Sequence, residues 1–340
     1  MKTAAFAKMI ALSIFVLIFS IPSANGAAKG VVIKIASLAP EGSSWIQIFK
    51  ELNSEIKKKT DGNVRFKLYP GGVLGDETDM VRKMFIGQIQ AAVLSSPGLS
   101  SLNRDMDVFQ IPFLFQNYDE VDHVIAKMSG FFKEGFEKKG YVLLGWSEGG
   151  FVRLMSTTAI SSIDDLKKAK VWTWEKAPMA EAIFKAAGVA AIPLSIPDVL
   201  VGLQTGLIDV VYAPPAGAIS LQWFTKVRYV TDVPLIYLAG GILVKKNIID
   251  RIPKRYLGII NDIFQQYMVK MKETIRKDNR EAIRVMVKHG IKIVLPSAEQ
   301  TAKFKQLAQK AIEQSDKTRF SKKALEQIYS HLEEYRKGKN

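Results

Sequence analysis

Cysteine is absent from all 340 residues. That removes disulfides, thiolate nucleophiles, cysteine-bound metals and a lipidated N-terminal cysteine from consideration. Histidine is scarce: His123, His289 and His331 lie far apart with no metal-ligand spacing among them. No nucleophile elbow, P-loop, dinucleotide fingerprint or metal-binding histidine pair occurs. Neither cofactor nor metal is expected, and no residue is nominated as catalytic. After the first few residues no apolar run approaches the ~20 residues of a membrane-spanning helix.

What remains is a globular composition, 48% hydrophobic, on a chain long enough for two domains. Its opening carries Lys2 and Lys8, an apolar run from Met9 to Ile21, and the small residues Ser23, Ala24, Gly26 and Ala27. This is the layout of a cleavable secretory signal over residues 1–26, too short in its apolar part to span a bilayer comfortably. Export as a soluble protein to a periplasm is the expectation. Formal net charge is +15, or 48 − 2 − 33 = +13 without the two leader lysines. The lysines are spread over helix faces (Lys57–Lys59, Lys138, Lys139, Lys167, Lys168) without interleaved aromatics, so no nucleic-acid partner is expected.

The rest is organised around Lys170–Pro215. Strand (Lys170–Trp174), helix (Pro178–Ala187), strand (Ala190–Leu194), helix (Pro197–Thr205) and strand (Leu207–Tyr212) make a βαβαβ unit. Its strand ends carry Trp172, Trp174 and Tyr212, and open α/β sheets collect ligands outside their strand ends. A second unit of like build precedes it. Strand Val31–Leu38 leads to a helix over Trp45–Lys59 that Ser44 caps. Strand Val64–Tyr69, an acid-started helix ending at Gly87 and strand Ile89–Leu94 follow. The helix-stopping glycines, Gly87 and Gly206, are 206 − 87 = 119 positions apart. Two α/β lobes facing across a cleft are expected, lobe I over 27–150, with parts of 240–340 returning to it, and lobe II over 151–239. A glycine turn at Glu148-Gly149-Gly150 separates strands Tyr141–Trp146 and Phe151–Ser156 in this reading. Residues 253–288 read as one helix, framed by Pro253 and Gly290, roughly 50 Å long at 1.5 Å per residue. It is either a coiled-coil segment or a strut laid across both lobes. A strand and helices fill 291–340.

Several side chains are candidates for the cleft. Arg153 lies on a mostly apolar strand, where it either makes a structural salt bridge or clamps an anion with its fork. Trp172 and Trp174 share one strand face and, with Tyr212, either fill core or stack on a flat or apolar ligand. Glu148 either pairs with Arg153 or takes a ligand's donor. Phe113 and Phe115 in the run Ile111–Phe115 are core with some reach toward the cleft. His123 reads as exposed or partly packed on an amphipathic helix, and Asp209 as a turn residue.

The stretches "SLAPEGSSW", "YPGGVLGDETDMVRKMFIGQIQAAV", "IPFLF", "DLKKAKVWTWEKAP" and "LQTGLIDVVYAPP" resemble the solute-binding receptors of TRAP transporters, the dicarboxylate-receptor (DctP) family. The resemblance implies a particular fold class: α/β, a two-lobed periplasmic-binding-protein fold with a long helix spanning both lobes. It also implies a receptor that captures an organic acid and is read by a sodium-driven TRAP permease in the membrane. The family commonly has "K-[IL]-R-V" where this chain has Lys170-Val171-Trp172-Thr173, so its carboxylate-binding arginine falls on Trp172. Its asparagine before a proline falls on Ala213. Both departures remove polar contacts to a carboxylate, which favours a larger, apolar or aromatic ligand, with Arg153 the remaining anion holder. Ser43, Trp45 and Ser96 on lobe I are expected to face Arg153, Trp172, Trp174 and Tyr212 on lobe II. The rivals are a receptor feeding a sensory system and an exported hydrolase or isomerase with Asp209 or Glu148 as base. A monomer or dimer is expected.

Overall fold

The computed structural model describes residues 30–175, 177–314 and 321–339, so the leader expected at 1–26 lies outside the described residues. The first arm is β1 (Val31–Ala36), α1 (Ser44–Lys59), β2 (Val64–Tyr69), α2 (Glu77–Phe85) and β3 (Ala91–Ser95). After it come α3 (Ser96–Leu102), α4 (Tyr118–Glu137), β4 (Tyr141–Phe151), β5 (Arg153–Ser156) and α5 (Ile163–Lys167). The second arm is β6 (Val171–Trp174), α6 (Pro178–Ala186), β7 (Ala191–Leu194), α7 (Val199–Thr205) and β8 (Val210–Ala213). The chain ends with α8 (Pro215–Ser220), β9 (Tyr229–Thr231), β10 (Tyr237–Lys245), α9 (Lys246–Ile249), α10 (Lys254–Lys288), β11 (Lys292–Val294), α11 (Ala298–Gln314) and α12 (Lys322–Lys337).

The two arms are built alike. One sheet runs β2-β1-β3-β10-β4 and the other β11-β9-β5-β8-β6-β7, so β2-β1-β3 and β7-β6-β8 are the same parallel triplet. Gly87 and Gly206 end α2 and α7 in the same way, at φ of 79° and 69°, which side chains with a Cβ rarely adopt. The helix at 44–59 starts one residue earlier than Ser44-capping requires: Ser43 is the cap, its Oγ accepting from Ile46 N.

Residues 148–150 do not turn. β4 runs straight through them, with a register shift against β10 between Leu238 and Ala239, and passes into β5 of the other sheet. The return crossing is antiparallel to it: Leu235 N donates to Val152 O at 3.0 Å, and Val152 N donates to Ile236 O at 2.9 Å. Gly150 is required here by both conformation and space. Its φ is +99°, and a Cβ would sit 2.6 Å from Asn279 Nδ2 and 2.8 Å from Tyr118 Oη.

The helix at 254–288 is a strut rather than a coiled coil, continuous over 35 residues. Its first half buries Tyr256, Ile260, Ile263, Phe264, Met268 and Met271 against α1, β1 and β2. Its second half sends Ile283 and Met286 into the core of the other lobe, beside Trp223 and Val227. Between the two halves Asn279 ties both together, donating to Gly149 O at 2.8 Å and accepting from Ala216 N at 3.0 Å. β11 then extends the second sheet beside β9, while α11 packs on α6 and α12 on α4. The final helices are thus divided between the lobes.

Candidate functional site

A cavity of about 610 Å³ lies between the lobes. That is within the usual range for small-molecule sites. β6 explains one wall. Side chains alternate on a strand, so Val171 turns into the packing around Phe184 while Trp172 and Trp174 share the opposite face. Trp172 is 1% exposed and touches Tyr212 at a centroid distance of 4.8 Å and Trp223 at 5.3 Å. The polar atoms of this group are satisfied within the protein. Trp172 Nε1 donates to Leu194 O at 3.0 Å, and the Tyr212 hydroxyl accepts from Trp174 N at 3.2 Å. Burial raises the Tyr212 hydroxyl's pKa, so it stays a neutral phenol. Trp172 is sealed, so the ring surface left for a guest on this wall is that of Trp174 and Tyr212.

The opposite wall comes from lobe I. Ser43 and Trp45 line it, as do Ser37, Leu38 and Glu77. The Ser43 hydroxyl is committed to its helix cap, and Trp45 stacks on Phe49 at 5.3 Å. Phe113 reaches the cavity while Ile111, Leu114 and Phe115 are buried in lobe I. Phe113 does so with a φ of 58°, its N–H held by Leu235 O at 2.7 Å. A bulky residue in that backbone region carries strain that its surroundings must hold.

The lobes are closed on one another. Met179 of α6 is buried as part of the lobe I core, and Leu38 packs against the core of lobe II. Asp76 makes the polar link. Its side chain caps α2 by accepting from Glu77 N at 2.7 Å, and its second oxygen accepts from Trp174 Nε1 at 2.6 Å and Ile196 N at 3.4 Å. Burial raises its pKa, and those three hydrogen bonds only partly offset the rise. Beside it Glu77 is enclosed, accepting from Ser95 N and Ser95 Oγ at 2.9 Å each. Burial pushes the Glu77 carboxyl up to about 8.

Glu77, Glu148, Asp278 and Glu281 line the cavity, Glu77 mostly protonated at neutral pH, and no arginine, lysine or histidine among the described residues does. Glu148 does not pair with Arg153. It is buried and takes two hydrogen bonds from Arg276, at 2.8 and 3.0 Å, plus the Tyr237 hydroxyl. Arg276 also forks onto Asp122 at 2.7 and 2.8 Å. Burial alone would push the guanidinium down, but the two carboxylates outweigh it and hold the charge firmly on.

Seven nominated residues meet at the cavity: Ser43, Trp45, Glu148, Trp172, Trp174, Tyr212 and Ala213. Two do not line it. Arg153 turns to Asp232, with Nε 2.6 Å from Oδ1, and Ser96 is fully buried with its Oγ donating to Ala239 O at 3.1 Å. Asp209 is a turn acceptor for Lys170 N at 3.4 Å and is also away from the cavity. Trp223, Phe184, Met179 and Glu77 are lining residues that were not nominated. Phe184 and Met179 were readable as one apolar face of a helix, but nothing in their spacing says that this face closes a cavity.

The model of the family described as bacterial extracellular solute-binding protein, family 7 (DctP), matches residues 35–318. The 2,3-diketo-L-gulonate-binding periplasmic protein YiaO of Escherichia coli is 24% identical over 247 residues, 72% of this chain and 75% of its own. The sugar acid binding protein DctPAm of Advenella mimigardefordensis, solved with galactonate, superposes with a TM-score of 0.84 at 21% identity, covering 90% of this chain and 99% of its own. A TRAP periplasmic solute-binding protein of Desulfovibrio salexigens, solved with orotic acid, gives 0.81 at 21% identity, over 90% and 99% of the two chains.

Proposed function

The chain belongs to the bacterial extracellular solute-binding proteins of family 7, and we propose that it is the receptor of a TRAP transporter. It takes up one small organic solute between its lobes in the periplasm, directed there by residues 1–26, and delivers it to membrane permease subunits without chemical turnover. The relatives support this reading: YiaO binds 2,3-diketo-L-gulonate, and the two solved neighbours were found with galactonate and orotic acid. The moving bodies are the two sheets with their helices. They are hinged where residues 151–153 and 235–237 cross and where α10 runs along both. Solute acts by stabilising contacts that exist only when the lobes meet.

The observation that carries the ligand class is the sign and texture of the lining. Apolar side chains, aromatic rings among them, dominate, and no cationic group stands among the described lining residues. A carboxylate brought into such a site would lose its hydration without gaining a cation, which is costly. The solute is therefore a molecule with a large apolar or aromatic body, and any carboxylate it bears points out of this enclosed part. Native mass spectrometry of the protein purified from its periplasm tests this. A co-purified apolar or aromatic compound supports the reading, and a tightly held small sugar acid or C4-dicarboxylate sinks it.

A further inference from the structure

Outside the cavity, the seam between α4 and α12 gathers chemistry that the sequence keeps apart. His123 and His331 are 331 − 123 = 208 positions apart, yet their rings lie 6.4 Å apart at 70° to each other. Glu334 stands one turn after His331 on the same face of α12. One ring nitrogen from each histidine and a carboxylate oxygen of Glu334 all lie within 4.8 Å of one another. The seam itself is fixed. Arg336 bonds Glu120 at 2.8 and 3.0 Å and Leu114 O at 2.9 Å, and Ile328 and Leu332 are buried in the lobe I core. Tyr335 holds the His123 ring from the side at 5.1 Å.

One feature distinguishes this cluster from a chance meeting of polar groups: His123 Nε2 is buried and has no hydrogen-bond partner, an outcome that folded proteins avoid. We propose that His123, His331 and Glu334 bind a divalent transition-metal ion, with Zn²⁺ the reference case, which fastens α12 to α4. Two imidazoles and one carboxylate are a common zinc donor set at ~2.0–2.2 Å, with water as the fourth ligand. Imidazole donors select such ions over Ca²⁺ and Mg²⁺, which want oxygen cages.

The donors, all within 4.8 Å of one another, must come to roughly 3.3 Å apart, the edge of a tetrahedron with ~2.0 Å bonds. Glu334 is exposed and His331 partly so, and rotation of their side chains supplies the movement. The competing contacts are Lys127 Nζ to Glu334 Oε1 at 3.3 Å, an exposed ion pair of the weak kind, and His331 Nδ1 to Glu334 Oε2 at 3.4 Å, which the ion replaces. None of the three residues lines the interlobe cavity, so this site stands or falls independently of the solute.

The test uses full-length mature protein without a polyhistidine tag, stripped with chelator and dialysed against Zn²⁺. Bound metal is measured by mass spectrometry, and Co²⁺ substitution is followed by its visible absorption. Wild type is expected to hold one equivalent, to give a Co²⁺ spectrum of imidazole coordination, and to melt at a higher temperature with Zn²⁺. Glu334→Gln, on the exposed face, and His331→Gln are each expected to weaken binding at least tenfold and to abolish the Zn²⁺-dependent rise in melting temperature. His289→Gln, at the far end of α10, leaves all three readouts unchanged. Absence of a stoichiometric ion, or binding that survives both α12 substitutions, overturns the proposal.

Discussion

Asp76 and Trp174 belong to different lobes, and the indole Nε1–H of Trp174 donates to the Asp76 carboxylate at 2.6 Å. The same carboxylate caps α2 through Glu77 N. One side chain therefore ends a helix of lobe I and holds lobe II against it. Nothing comparable joins these residues once the lobes part, so the bond counts only toward the closed state. A hydrogen bond to a charged group contributes about 1.5–3 kcal/mol. Trp174→Phe keeps the ring and loses the donor. Solute affinity is expected to fall roughly tenfold to 150-fold, through a smaller closed fraction, by the same free energy. Calorimetric titration with the co-purified solute, alongside small-angle scattering of the loaded protein, reads both. Affinity within about twofold of wild type would show that the contact does not govern closure.

Glu77 makes stability depend on pH in an unusual direction. Its carboxyl rises from 4.5 to about 8 because burial disfavours the anion. An acid with a raised folded-state pKa contributes stability that is complete below 4.5 and is lost as pH rises through about 8. Over that window the loss from this group alone approaches about 1.4 kcal/mol per pH unit. Melting temperature is thus expected to decline between about pH 5 and pH 8, and Glu77→Gln, which keeps the shape and cannot ionise, is expected to flatten the decline. Equal slopes in both proteins would assign the pH response elsewhere.

Much of the architecture was legible because period and punctuation agree. Both βαβαβ arms, the glycine stops at 87 and 206 and the unbroken helix after Pro253 follow from residue spacing, and the sheets place the arms as matching triplets. What misled was local. Glu148-Gly149-Gly150 has turn composition, but its glycines serve close approach inside a continuous strand, Gly149 by Leu238 and Pro214 and Gly150 by Asn279 and Tyr118. Arg153 is read correctly as needing a partner, and only folding shows that Asp232, 79 positions on, is that partner. Glu148 finds Arg276, 128 positions on, for the same reason. Side-chain pairings across such distances leave no trace in spacing. The aromatic residues of the cavity were easier, because strand alternation alone puts Trp172 and Trp174 on one face.

Arg276 is the second load on the long helix. Its guanidinium is mostly buried and neutralises both Glu148, which is nearly inaccessible, and Asp122. Removing one member of a buried pair leaves the other charge without compensation, at a cost of about 3–5 kcal/mol. Arg276→Met retains the bulk of the stem and removes the charge. Urea unfolding is expected to show a loss in that range, and Arg276→Met combined with Glu148→Gln is expected to recover part of it, because the stranded charge goes too. A double variant no more stable than the single one would mean that Asp122, and not Glu148, is the partner that matters.

Arg153 provides the sharpest discrimination between an acid-clamping site and an apolar one. Its fork was the remaining candidate to hold a carboxylate once Trp172 stands where the family arginine falls. Instead its Nε sits 2.6 Å from Asp232, outside the lining of the cavity. The pair is partly exposed, 23% and 40% by side chain, and a pair in that setting is worth about 0–1 kcal/mol. Arg153→Ala is therefore expected to change unfolding free energy by no more than about 1 kcal/mol. Solute affinity should stay within about twofold, since no contact to the guest is lost and the Asp76–Trp174 link is untouched. A tenfold or greater loss of affinity for an anionic solute, with stability preserved, would mean that Arg153 leaves Asp232 to meet the ligand. The receptor would then be an acid binder with an apolar wall.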